Sequence, residues 1–118
     1  MNYKFEELEV WQLSLELNDK IYQISSFLPE TEKFNMRTQI NRAVTSVSLN
    51  IAEGSTSQTD SEQNRFLSYS LRSLIEVIAC LRLIDRRNYL TDNDLYIETE
   101  KTIQQLFIKL HAFRKALR

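Results

Sequence analysis

The chain has 118 residues and a mass of 14.0 kDa, with 42% apolar and 26% charged residues and a formal net charge of -1. This is material for one hydrophobic core and too little for a second domain, and its near-neutral charge exerts no overall pull on nucleic acid or membranes. A single glycine and a single proline exclude hairpin-rich sheets, Rossmann folds and glycine-rich phosphate loops, which leaves a small all-α protein.

A first helix is expected over about 6–28. Val10, Leu13, Leu17, Ile21, Ile24 and Leu28 recur at steps of three and four and form its core face. Leu8, Trp11, Leu15 and Tyr22 make a second apolar stripe roughly 130° around the same helix, the candidate oligomer interface. Pro29 ends this segment, because its ring blocks helix continuation. A second helix is expected over about 31–53, capped by Thr31 or Asn35, with Met36, Ile40, Ala43, Val44, Val47 and Ile51 buried. Gly54 follows where a helix commonly ends in a left-handed residue.

After a polar loop at 55–59, Thr59 and Glu62 have the spacing of a capping box and start a third helix over about 60–88. Its core stripe is Leu67, Leu71, Leu74, Ile78 and Leu81, flanked by Phe66, Val77, Cys80 and Ile84. Thr91 with Asp94 caps a fourth helix over about 92–117, striped by Leu95, Ile103, Leu106, Leu110, Phe113 and Leu117. Four such helices on short connections imply one domain, an antiparallel up-down-up-down four-helix bundle.

Most chemistry that helical bundles host fails on residue types. A di-iron carboxylate site needs Glu-x-x-His pairs, and the single histidine, His111, has Ile108 at that spacing. One Cys and one His cannot supply a tetrahedral zinc set, so neither a metal nor another cofactor is expected. Cys80 lies in an apolar helix and reads as packing. It has no partner for an internal disulfide, and the first residues lack the basic-then-apolar pattern of a secretory leader. The most apolar run, 74–84, is interrupted by Glu76 and Arg82 and falls short of the ~20 residues that span a bilayer. A cytoplasmic protein without a membrane segment is expected.

The charge that exists is unevenly placed. Residues 1–32 carry two basic and seven acidic groups, and the remaining 86 carry thirteen and nine, an asymmetry that ordinary solvated surface accounts for. The second helix is less ordinary. Gln39, Arg42, Ser46, Asn50 and Glu53 form a polar stripe beside its apolar face, and Arg65, Arg72 and Glu76 form a similar line on the third helix. A buried, unpaired polar group costs about 1–3 kcal/mol, so these lines are expected either to zip together through Arg–Glu pairs or to lie in solvent.

Several segments together resemble a known family. FEELEVW at 5–11, Phe27, Leu28 and Pro29 followed by Glu32, QINRA at 39–43, NIAEG at 50–54, and the Phe66-Leu67 and Ser73–Glu76 stretches look like the proteins named for intervening sequences of 23S rRNA genes. The resemblance implies small bacterial four-helix proteins assembled as barrel-like homopentamers, with no enzymatic activity attributed to them. It also implies relatives that serve diversity-generating retroelements, binding a reverse transcriptase and nucleic acid through a basic surface. Gln39, Arg42, Asn50, Glu53 and Glu76 fall on the family's signature polar positions, and Gly54 on its helix-ending glycine. This chain departs from the retroelement proteins in its slightly acidic net charge.

Three functions follow from this reading. The first is a non-enzymatic homo-oligomeric scaffold or adaptor that binds RNA, DNA or a nucleic-acid-handling protein, with Arg65, Arg72, Arg82, Arg86 and Arg87 as candidate phosphate contacts beside basic residues near the C-terminus. A small enzyme using Glu53 and Glu76 with Arg42 is the second, weakened by the lack of glycine for an oxyanion nest or a mobile lid. The third is a pure protein-interaction module, which the acidic first segment suits.

Overall fold

A computed structural model describes residues 2–117. A 3-10 turn at Lys4–Glu7, in which the Tyr3 backbone N–H donates to Glu6 Oε2 at 2.6 Å, leads through the extended residue Leu8 into α1, Glu9–Ser26. The helix therefore starts later than its apolar pattern does, because Leu8 breaks the dihedrals while keeping its side chain on the core. At its other end Arg37 reaches back, its guanidinium donating to the carbonyl of Ser25 at 3.1 Å, which also accepts from the Leu28 backbone N–H, and to that of Leu28 at 2.8 Å, a cation at the negative end of the helix.

Pro29 then opens a second 3-10 turn, Glu30–Glu32, and α2 runs Met36–Gly54 with Asn35 at its N-cap. Buried Glu32 accepts hydrogen bonds from Asn35 Nδ2 at 3.0 Å and the Tyr89 hydroxyl at 3.2 Å. It thereby ties the α1–α2 connection to the α3–α4 connection.

The third helix, α3, spans Asp60–Arg86, and the Thr59 hydroxyl accepts from the Glu62 backbone N–H at 3.1 Å as the capping pattern requires. α4 spans Asn93–Ala116. Its cap is Asp92 and not Thr91, with Asp92 Oδ1 accepting from the Leu95 backbone N–H at 3.0 Å. The left-handed residue is likewise elsewhere than at Gly54. Asn88, with φ 61°, ends α3: its N–H bonds to Asp85 O and the Tyr89 N–H to Ile84 O, the Schellman pattern with asparagine in glycine's usual place.

Gly54 has no positive φ and is needed for closeness instead, since a Cβ there would sit 2.9 Å from Phe66 Cβ. Gly54→Val should therefore force α2 and α3 apart near this end and cost about 1–3 kcal/mol, read as a lowered urea midpoint. An unchanged midpoint would show that the two helices can shift freely.

The molecule measures 44 × 27 × 25 Å, the long dimension set by α3. Among the described residues every helix contacts two neighbours, α1 with α2 and α4, and α3 with α2 and α4. All the apolar stripe of α2 is buried, and on α3 the burial covers Val77, Cys80 and Ile84 as well as Leu67, Leu71, Leu74 and Leu81. The core also holds a polar chain. Asn18 Nδ2 donates to Ser48 Oγ at 2.7 Å, Ser48 donates to Ser14 Oγ at 2.9 Å, and Ser14 donates to Trp11 O at 2.7 Å. Each buried donor in this chain meets an acceptor, so it fixes the register of α1 against α2 without the cost of an orphaned group.

Candidate functional site

Of the signature polar positions, Asn50 lies in a closed seam, Gln39, Arg42 and Glu76 line an open cleft, and Glu53 belongs to neither. In the seam, Asn50 Nδ2 donates to Ser46 O at 2.9 Å and to Ser46 Oγ at 3.1 Å, and the Ser46 and Ser73 hydroxyls bond at 2.9 Å, joining α2 to α3. Gln39, Arg42, Glu53 and Glu76 remain exposed. Gln39, Arg42 and Glu76, with Phe34, Asn35 and Thr38, line a cleft of about 230 Å³. Phe34 is 88% exposed at its rim, with Lys33 Nζ 5.5 Å from its ring centroid.

Glu53 lies eleven residues beyond Arg42, about 16 Å along the helix, and does not line the cleft. Of the two alternatives for these lines, the Arg–Glu zip within the subunit does not form among the described residues. Among the described residues the ion pairs are Lys33–Glu30, Arg82–Glu100 and Lys109–Glu9, so Arg42, Arg65 and Arg72 take part in none. These positions are exposed enough for water to solvate them, and a solvated charge needs no partner.

The five arginines singled out as phosphate contacts fall in three places. Arg65 and Arg72 share a pocket of about 440 Å³ with Ser61, Asn64, Ser68, Tyr69 and Arg114. Arg82 faces α4, its Nη1 donating to Glu100 Oε1 and to the Tyr96 hydroxyl at 3.0 Å and its Nη2 to Glu100 Oε2 at 3.2 Å. The hydrogen bond to Glu100 holds the Arg82 pKa above its ordinary value, while burial raises that of the Tyr96 phenol. Arg86 and Arg87 are exposed at the far end of α3, about 20 Å from Arg72 at 1.5 Å per residue. Arg114 joins the first group because the end of α4 lies beside the start of α3, where its Nε donates to Asn64 Oδ1 at 2.6 Å. The sequence shows it only as one of several basic residues near the C-terminus.

The apolar stripe on α1 also divides. Leu8 and Trp11 are half-buried against the core, with Trp11 edge-on to Phe5 at a centroid distance of 4.7 Å. Leu15 and Tyr22 are exposed, the Tyr22 hydroxyl standing 3.4 Å from Thr45 Oγ1. A larger apolar surface lies between α3 and α4. Ile75 and Ile97, each about half exposed, open onto a groove of about 520 Å³ also lined by Ile78, Ile103 and Phe107, with Tyr96, Glu100, Lys101 and Gln104 along it. The stripe reading passes over this groove, because Ile75 and Ile97 lie off both helical core stripes; apolar residues left over once the stripes are assigned were the available signal.

The remaining reactive types are quiet. Cys80 is buried and its pKa is raised, first by burial and then by the charge of Glu76. His111 is exposed and packs edge-on to Phe107 at 4.6 Å. Among the described residues no group of three or more His, Cys, Asp or Glu is placed to hold a metal ion. No helix among them is long and apolar enough to cross a membrane.

No curated relative matches the chain. Its fold is similar to a crystal structure of a protein of unknown function from the S23 ribosomal protein family of Bacteroides thetaiotaomicron. That similarity has a TM-score of 0.81 at 28% identity, over 91% of this chain and 99% of the other. The family model described as 23S rRNA-intervening sequence protein matches residues 6–112, a span that takes in α1, α2, α3 and most of α4, the polar seam, and Arg65 and Arg72 but not Arg114. On that match the chain belongs to the 23S rRNA-intervening sequence protein family.

Proposed function

We propose that this chain is a non-enzymatic scaffold that self-associates through the α3–α4 face and presents its arginine-bearing surface to nucleic acid. The observation that carries the reading is the groove around Ile75 and Ile97. Isoleucines half exposed on a continuous groove gain about 25 cal/mol for each Å² that a second copy covers. The bundle that presents them is antiparallel: Ser14 meets Ser48 and Ser25 meets Arg37, Val47 meets Ser70, Arg82 meets Glu100 while Asn64 meets Arg114, and Glu9 meets Lys109. Where two contacts join the same helices, α1 with α2 and α3 with α4, numbers rise on one helix as they fall on its neighbour, which supports the order of an up-down-up-down bundle.

The resemblance to pentameric barrels sets five as the expected subunit count. A cytoplasmic location goes with the reading, on the strength of a buried thiol that needs no partner. The enzyme reading is less well supported, because Glu53 does not share the cleft of Arg42 and Glu76 and all three groups are open to solvent. Native mass spectrometry tests the assembly: a species of five times 14.0 kDa is expected, and a monomer at every concentration would overturn it.

A further inference from the structure

We infer that the pocket of Arg65, Arg72 and Arg114 is a binding site for the phosphates of a single-stranded nucleic acid. The inference deepens the proposed function and rests on its nucleic-acid part. Three arginines from two helices line this pocket, and its lining holds no Asp or Glu. None of the three forms an ion pair with a described residue. Arg114 is also positioned: its Nε bond to Asn64 Oδ1 at 2.6 Å fixes the guanidinium plane and leaves the terminal nitrogens to donate elsewhere.

The other lining groups suit the same ligand. The hydroxyls of Ser61 and Ser68 can donate to phosphate oxygens. Tyr69 is 40% exposed and meets Phe66 at right angles at a centroid distance of 5.9 Å. Arginines for the backbone with an aromatic face for a base are the two elements of single-strand recognition. Arg65 and Arg72 stand two helical turns apart, about 10 Å, so one strand crossing the pocket can engage both. Arg82, neutralised by Glu100, and Arg86 and Arg87, which line none of these pockets, lack this arrangement. A chain with net charge -1 thus carries a positive site confined to one end.

The test is fluorescence anisotropy of a short labelled oligouridylate against the full-length protein at several salt concentrations. Arg65→Ala, Arg72→Ala and Arg114→Ala are each compared with an Arg86→Ala/Arg87→Ala double variant. Each pocket substitution should weaken binding about tenfold and lower the salt slope by about one, while the double variant binds as the parent does. Arg65 and Arg72 are exposed, so their removal leaves the fold intact, and the melting temperature verifies this.

Equal losses in the double variant would overturn the pocket assignment and leave the nucleic-acid reading standing. A parent that ignores the oligonucleotide yet binds inorganic pyrophosphate, with that binding lost in the pocket variants, would overturn the nucleic-acid reading and leave a site for small phosphate compounds. Binding to neither probe would overturn both.

Discussion

If the chain self-associates as proposed, replacing both Ile75 and Ile97 with glutamate should leave a 14.0 kDa monomer with unchanged helix content. Both side chains are about half exposed, so the bundle itself does not depend on them. Within an interface each isoleucine is worth up to about 1.5–3 kcal/mol on full burial, and the glutamate that replaces it brings a charge without a partner. Two such changes in each copy, repeated at every contact, exceed what an interface of ordinary strength tolerates. Light scattering reads the mass and circular dichroism the helix content. An unchanged mass would place the contact elsewhere, with exposed Leu15 and Tyr22 the next surface to test.

The second large effect is expected at Trp11. As a member of an apolar stripe outside the core face it reads from the sequence as an interface residue, whose removal would break the oligomer more than the fold. The structure places it half-buried against the core and edge-on to Phe5, with its carbonyl accepting from buried Ser14. Trp11→Ala should therefore lower the stability of the folded chain by about 2–3 kcal/mol, less than the 3–5 of a fully buried aromatic because part of the ring is wet. Urea denaturation measures this. A loss below about 1 kcal/mol together with a fall in mass would return Trp11 to the interface.

The placements of Trp11 and Ile75 mark how far the residues alone carry the fold. Helical periodicity identifies the core of α2 residue by residue, because Met36 to Ile51 form one narrow stripe and every member is buried. On α3 the flanking group proves to be core at Val77, Cys80 and Ile84 and only partly buried at Phe66, since α3 packs against both α2 and α4 and so buries a wider arc. Stripe counting cannot tell such an arc from an interface. It also fails at Gly54, whose role depends on the approach of Phe66 from another helix rather than on its own backbone.

The arginine pocket is less legible for a similar reason. Arg65 and Arg72 share a helix face by spacing alone, but Arg114 reaches them from 42 residues away only once α4 lies along α3. The tie between Glu32 and Tyr89 joins two loops, 57 residues apart, and has no periodic signal at all. Local capping is read well where one side chain and one backbone N–H decide it, as at Thr59. It shifts by a residue where two acceptors compete, as Thr91 and Asp92 do.

Self-association through the α3–α4 face is the claim on which the proposed function rests. Size-exclusion chromatography with light scattering, recording absorbance at 260 and 280 nm on untreated protein at low salt, tests it most directly. The expected result is a mass near five times 14.0 kDa, with excess 260 nm absorbance that salt removes. A clean 14.0 kDa monomer across the concentration range would contradict it, leaving Ile75 and Ile97 as ordinary exposed isoleucines.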